Sequence, residues 1–210
     1  MIHLGIIPDG NRRYIKKHPE KNLINLWDEL FNKILNDYSK YKNLNLINEI
    51  SLYVCSIENI KREDNTKENI IEILNLVLNF INSDKKFKNF ININFIGDIN
   101  LLPKDLQKLI EKTKNNFKGE KLKLNLAIVY DYNKDLENYN NNLNKNYNRK
   151  QSNIDLILRS GQEKRLSGFF PTKTLYSELF FMDKLWPEVT LDDLDLIIQE
   201  YNKRDRRFGK

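Results

Sequence analysis

The chain has 210 residues, 30 % charged and 40 % hydrophobic, which is the balance of a folded domain and excludes a disordered chain. A formal net charge of +6 suits an anionic partner, though much of it is lysine in a chain rich in Lys, Asn and Ile, which weakens charge as evidence. One cysteine, Cys55, excludes an internal disulfide, and two histidines exclude a histidine-rich metal site; no apolar run approaches the roughly 20 residues that span a bilayer.

The first apolar run, "HLGIIP" (3–8), predicts a strand. It ends in Asp9 and Gly10, then Arg12 and Arg13 at a predicted helix start. Arginine opposes the helix dipole at that end. An anion lying between the dipole and the guanidinium groups relieves the conflict; phosphate is the obvious one, with Asp9 holding its metal ion. With the site beginning at residue 9, no signal peptide is expected ahead of the fold, and the protein is read as cytoplasmic. A long helix follows over about 21–42. The second strand, "EISLYVCS" (49–56), leads into "SIENIKR" (56–62), which offers Ser56, Glu58, Asn59 and Arg62; taken alone, any polar strand-to-helix loop shows as much.

The helix at 66–83 is apolar nearly all round: Ile70, Leu74, Val77, Leu78 and Ile81 form one stripe, and Ile71, Ile73, Leu76 and Phe80 cover much of the rest. Such a helix needs two apolar neighbours. Either it is a central core helix, or one face packs on the sheet and the other lines a hydrophobic tunnel.

Strands at 92–97 and 122–130 bracket a helix at 104–116 that starts just after Pro103. A helix over 134–147 runs into the low-complexity "NYNNNLNKNYNRKQSN", within a polar connection (133–153) expected to be mobile and assigned no chemistry. The fifth strand, 154–160, opens "RSGQEKRLS". Arg159, Arg165 and Ser167 around Gly161 suit a diphosphate, because guanidinium matches phosphate oxygens bidentately. A helix over 172–182 is expected to carry Glu178 in an apolar setting, where a carboxylate needs a lysine or a metal shared with Asp9. The last helix, 191–203, opens on a Thr190–Asp193 capping box, so "LDDLD" is read as acidic residues at a helix start. Together these elements predict an α/β fold: one domain over 1–210 with a mainly parallel central sheet flanked by helices. Ligands in such folds bind beyond the carboxyl ends of strands, where Asp9, Ser56 and Arg159 fall.

In order, "IIPDGNRRY", "LYVCSIENIKR", "FIGD", "LNLAIVYDY", "DLILRSGQEKRLSGFFPTKTLYSELFFMDKLWPEV" and "RRFG" resemble the cis-prenyltransferases, the undecaprenyl diphosphate synthase family, over about residues 3–209. The resemblance implies that family's fold, with a hydrophobic tunnel, and its reaction. An allylic prenyl diphosphate loses diphosphate, isopentenyl diphosphate attacks through its double bond, and a proton leaves to give a new cis double bond. It further implies Mg²⁺ on Asp9 and Glu178, and Gly10, Asn11, Arg12, Arg13 and Tyr14 around the allylic diphosphate. Ser56 and Glu58 become substrate contacts; Arg159, Arg165 and Ser167 hold isopentenyl diphosphate. Asn59 and Arg62 sit beside the reacting atoms and join Asp9 as catalytic residues. Arg207 and Gly209 match an Arg-x-Gly ending that reaches a neighbouring subunit's site, which implies a homodimer. The expected product is a short or medium Z-polyprenyl diphosphate, with peripheral membrane contact through that product.

The chain departs from the family's pattern at Asn22, Leu26 and Glu29, where an arginine, a histidine and a glycine are usual; the first two remove cations that touch the allylic diphosphate. Tyr14 and Ile60 replace tryptophans, and Lys164 a common histidine. Two further readings compete with elongation: irregular coupling or diphosphate loss giving a terpenoid, motivated by Asn22 and Leu26, and a non-catalytic partner subunit, against which Asp9 and "DGNRR" stand. A nucleic-acid partner explains the charge but not the carboxylates, and no stacking or groove-reading motif is present.

Overall fold

The first strand, β1 (Ile2–Ile7), is buried at all six positions because sheet neighbours and packed segments cover both its faces. The structure is a computed structural model that describes residues 1–22, 25, 46–83, 88–141 and 152–206. After β1 come α1 (Asn11–Lys17), β2 (Ile47–Tyr53), α2 (Ile57–Ile60), α3 (Thr66–Ser83), β3 (Ile91–Ile96), α4 (Lys104–Asn116) and β4 (Leu122–Ala127). Then follow α5 (Tyr132–Asn141), β5 (Leu156–Arg159), β6 (Glu178–Phe181) and α6 (Leu191–Lys203). The strands form one six-stranded sheet in the order β3-β4-β2-β1-β5-β6. Every pairing is parallel, as the strand–helix alternation predicts. Connections from β1 leave toward β2 and those reaching β5 arrive on its other side, so the strand order reverses at β1, the place where open α/β sheets bind ligands.

One sheet face is apolar. Over β3 and β4 it meets Leu74 and Leu78 of α3, and Leu106 and Ile110 of α4. Over β1 and β5 it meets Ile197, Ile198 and Tyr201 of α6, with Trp186. The other face carries a polar patch at its centre. Ser51 and His3 bond at 2.8 Å, and Asn125 donates to Glu49 at 2.7 Å and to Ser51 at 3.2 Å. Ser152 lies 2.9 Å from both His3 Nδ1 and Glu49, and Lys123 is 3.0 Å from Glu49. Burial lowers the His3 pKa from its ordinary value of 6.5, so the ring is neutral in the fold.

The structure corrects one element. Residues 172–182 form turns and then a strand rather than a helix. β6 pairs with β5 from Leu156–Glu178 to Arg159–Phe181, and Met182 N–H donates to the Arg159 carbonyl at 2.9 Å. The open edge of β5 offered ladder partners that outweighed a helical pattern. β2 and β4 end earlier than expected because the chain turns inward: the amides of Val54 and Cys55 both donate to the Ala127 carbonyl. Cys55 is buried. The expected helix at 21–42, with Leu26 and Glu29, lies outside the described residues apart from its first positions and Asn25, as do residues 142–151 of the 133–153 connection.

Candidate active site

Beyond the carboxyl ends of β1, β2 and β5 lies a cavity of about 880 Å³. Asp9 enters it directly after β1. Gly10 holds a left-handed backbone (φ 102°), and a Cβ there would fall 2.7 Å from a Leu185 methyl, so the turn needs glycine. The Asp9 carbonyl accepts from Trp186 N–H and from Ser160 Oγ, each at 2.9 Å. The Leu185–Trp186 motif, far away in sequence, therefore fixes the first turn from below.

The Asp9 carboxylate accepts from Gly10 N–H at 2.6 Å, from Arg159 Nη2 at 2.8 Å and from Arg13 Nη2 at 3.4 Å. Arg13 also donates to the Gly161 carbonyl at 2.5 Å, joining the rim that follows β1 to the rim that follows β5. Arg159 is buried; its Nη1 donates to Ser167 Oγ at 2.9 Å and to the Arg165 carbonyl. Ser167 itself stands in the left-handed region (φ 53°), and Arg165 pairs with Glu163.

The third rim follows β2. Ser56 and Asn59 cap α2 reciprocally: Ser56 N–H donates to Asn59 Oδ1 at 2.9 Å and Asn59 N–H to Ser56 Oγ at 3.4 Å. Both residues line the cavity, with Glu58. Across from the charged rims, Ile70 and Ile73 of α3 and Val54 give an apolar wall. Leu74, Val77 and Leu78 of the same helix are buried in the core, so α3 serves sheet and cavity together.

The cavity thus gathers Asp9, Gly10, Asn11, Arg12, Arg13, Ser56, Glu58, Asn59, Arg159, Arg165 and Ser167. Other expected site residues lie elsewhere. Tyr14 stacks on His18 with ring centroids 4.4 Å apart. Arg62 is bound to Asp64 at 2.9 Å outside the cavity lining, and Arg12 also reaches Asp64, at 3.5 Å. Glu178 does not meet Asp9 within the chain: it begins β6, three register positions before Arg159, and its carboxylate is taken by Arg204. Arg207 and Gly209 lie outside the described residues. The sequence reading passed over Lys16, Tyr53, Glu163, Thr66 and Asn69, which also line the cavity. Lys16 sits one helical turn past Arg12 and was legible from that spacing.

The arrangement suits a metal-bound diphosphate. Arg159 Nε and Asn11 Oδ1, on two residues of the cavity wall, are buried without a hydrogen-bond partner. No cluster of three or more His, Cys, Asp or Glu side chains with metal-ligand geometry occurs among the described residues. One carboxylate beside guanidinium groups fits Mg²⁺, which is commonly held by one or two carboxylates together with substrate phosphates and water.

Residues 7–209 match the prenyltransferase family model of undecaprenyl diphosphate synthases. The chain belongs to this family. It is 34 % identical to an isoprenyl transferase of Rickettsia typhi, covering 99 % of this chain and 97 % of that one. It is 30 % identical to a Pyrobaculum aerophilum tritrans,polycis-undecaprenyl-diphosphate synthase named as geranylgeranyl-diphosphate specific, over 99 % of this chain and 95 % of the relative. A crystal structure of a probable undecaprenyl diphosphate synthase from Campylobacter jejuni superposes with a TM-score of 0.73 at 28 % identity, covering 99 % and 98 % of the two chains. Lavandulyl diphosphate synthase from Lavandula x intermedia shares the fold, with a TM-score of 0.79 at 22 % identity. This prenyltransferase therefore has the fold and the polyprenyl-elongating activity of its family, and no described helix is long and apolar enough to cross a membrane.

Proposed function

We propose that this prenyltransferase condenses isopentenyl diphosphate with an allylic prenyl diphosphate, with Mg²⁺ at Asp9. The observation that carries the reading is the pair of arginine-bearing rims facing one carboxylate across a single cavity with an apolar wall. Arg12, Arg13 and Lys16 face the allylic diphosphate; Arg159, Arg165 and Ser167 face that of isopentenyl diphosphate. The allylic C–O bond breaks, the isopentenyl double bond supplies the electrons of the new C–C bond, and a proton is lost to leave the new double bond. The guanidinium groups hold the departing diphosphate and balance its charge. Mg²⁺, when bound, neutralises charge on the leaving diphosphate. Asn59, whose oxygen is fixed by Ser56 and which lines the cavity, is assigned a place beside the reacting atoms. Ile70 and Ile73 guide the growing hydrocarbon.

The starter is proposed to be a preformed prenyl diphosphate of intermediate length, as the name of the Pyrobaculum relative specifies for that protein, and the product a short or medium chain. A homodimer formed through the β6 edge fits the exposed Leu175 and Tyr176, 81 % and 68 % accessible. In that assembly Glu178 acts across the subunit boundary or not at all. A cytoplasmic enzyme touching the membrane through its apolar product completes the reading. The test is incubation with labelled isopentenyl diphosphate, starters of several lengths and Mg²⁺, followed by product sizing. Loss of diphosphate from the starter without incorporation of label, or elongation that survives chelation, overturns it; light scattering decides the dimer.

A further inference from the structure

Tyr53, the last residue of β2, reaches a site residue on the far side of the cavity. Its ring meets Tyr130 edge-on at 5.9 Å and Phe169 at 5.4 Å, and its hydroxyl donates to the Ser167 carbonyl at 3.3 Å. Ser167 carries a left-handed backbone without being glycine, and Gly168 and Phe170 are also at positive φ, so this turn needs outside support to persist. Arg159 supplies part of it through Ser167 Oγ and the Arg165 carbonyl. That support is charged and shared with Asp9, so an arriving diphosphate competes for the same N–H groups. Tyr53 adds a neutral contact to a main-chain oxygen, so the turn keeps a support that does not depend on the guanidinium of Arg159. Burial, aided by Glu58, pushes its phenol well above the ordinary range, so it stays a donor.

We propose that Tyr53 is a positioning residue that holds the Arg165–Ser167 turn in place for the diphosphate of isopentenyl diphosphate, while Arg159 changes partners. The proposal rests on the assignment of Arg159, Arg165 and Ser167 to that substrate. In the test, Tyr53→Phe keeps the ring and removes the donor. The KM for isopentenyl diphosphate should rise about 3- to 10-fold, the worth of one hydrogen bond, with the starter KM and kcat within about 2-fold of the parent. Arg165→Ala, measured alongside, should also raise the isopentenyl diphosphate KM. No change in Tyr53→Phe alone, an equal rise in both KM values, or a loss confined to kcat overturns the role of Tyr53. No change in either variant overturns the substrate assignment and the proposal with it. A Tm lower by more than about 5 °C assigns the hydroxyl to the core and likewise overturns the proposal.

Discussion

Asp9 and Arg159 meet across the seam between β1 and β5, carboxylate oxygen to guanidinium nitrogen at 2.8 Å. Arg159 is buried while Asp9 is half-buried, so the pair sits where solvent screens it on one side only. Within the chain, the Asp9 carboxylate neutralises the buried guanidinium. On the proposed assignment of Arg159 to a substrate phosphate and Asp9 to Mg²⁺, diphosphate and metal would enter together and the two partners would exchange one counter-charge for another.

Asp9→Asn should lower turnover by at least about 10²-fold, because stabilisation of the leaving diphosphate is lost. The Tm should also fall, since Arg159 is left buried without its counter-charge. Steady-state assays in Mg²⁺ and a thermal melt check both. Turnover within a few-fold of the parent would remove Asp9 from the reaction.

The two rims should separate kinetically. Arg13→Ala should raise the KM of the allylic substrate by roughly 10- to 100-fold, the worth of a charge-assisted contact of about 1.5–3 kcal/mol, and Arg165→Ala that of isopentenyl diphosphate. Equal effects on both substrates in both variants would undo the assignment.

Lys16 faces the cavity in a chain that has Asn22 and Leu26 where the family usually places cations. Asn22 is exposed, and its side-chain oxygen accepts from Asn25 N–H at 2.7 Å, so it is occupied locally. Lys16→Ala should therefore weaken starter binding by about 10-fold or more. Titration with inorganic pyrophosphate provides a readout independent of turnover, and unchanged affinity would show that the allylic grip lies elsewhere.

Gly161→Ala tests the bridge between rims. Its backbone has φ 87°, and a Cβ would fall 2.7 Å from Arg13 Nη2 and 3.0 Å from the Asp9 carbonyl. Displacing Arg13 by an ångström should cost about 10²-fold in kcat/KM. Activity near that of the parent would mean that the bridge is dispensable.

The polar patch of the sheet makes stability depend on pH. His3 is neutral in the fold, with its pKa lowered from 6.5, so the unfolded chain takes up the proton first. Its contribution is fully present above about pH 6.5 and is lost as the pH falls below that value toward the folded pKa. Tm should decline through that window, and His3→Gln should flatten the decline. Parallel profiles for parent and variant would exclude His3 as the cause.

Much of the site was legible because strands announce themselves by apolar runs and functional residues sit at their carboxyl ends. Asp9, Ser56 and Arg159 were found this way, and the structure brings them into one cavity. Glu178 was misplaced because its segment reads as a helix until β5 is known to offer a free edge, a fact of tertiary pairing that no local window contains. Tyr53 was hidden inside an apolar strand, where alternation predicts a core ring and says nothing of what its hydroxyl reaches. Arg62 was read from motif resemblance, and its tie to Asp64 depends on the turn that opens α3.

The buried patch of His3, Ser51, Glu49 and Asn125 also constrains how the strands align. The partners come from three adjacent strands paired Gly5–Ser51, His3–Glu49 and Ser51–Asn125. Sliding β2 by one residue would turn Glu49 and Ser51 toward the aliphatic face and present Ile50 and Leu52 to His3 and Asn125. A carboxylate would then face Leu4 and Leu124 without a donor, a far worse state than a merely loosened sheet. Parallel sheets of aliphatic strands have many nearly equivalent alignments; here the polar residues act as a lock and key between strands. Replacing the whole patch with aliphatic residues should leave a sheet that still forms but no longer has a single way to do so.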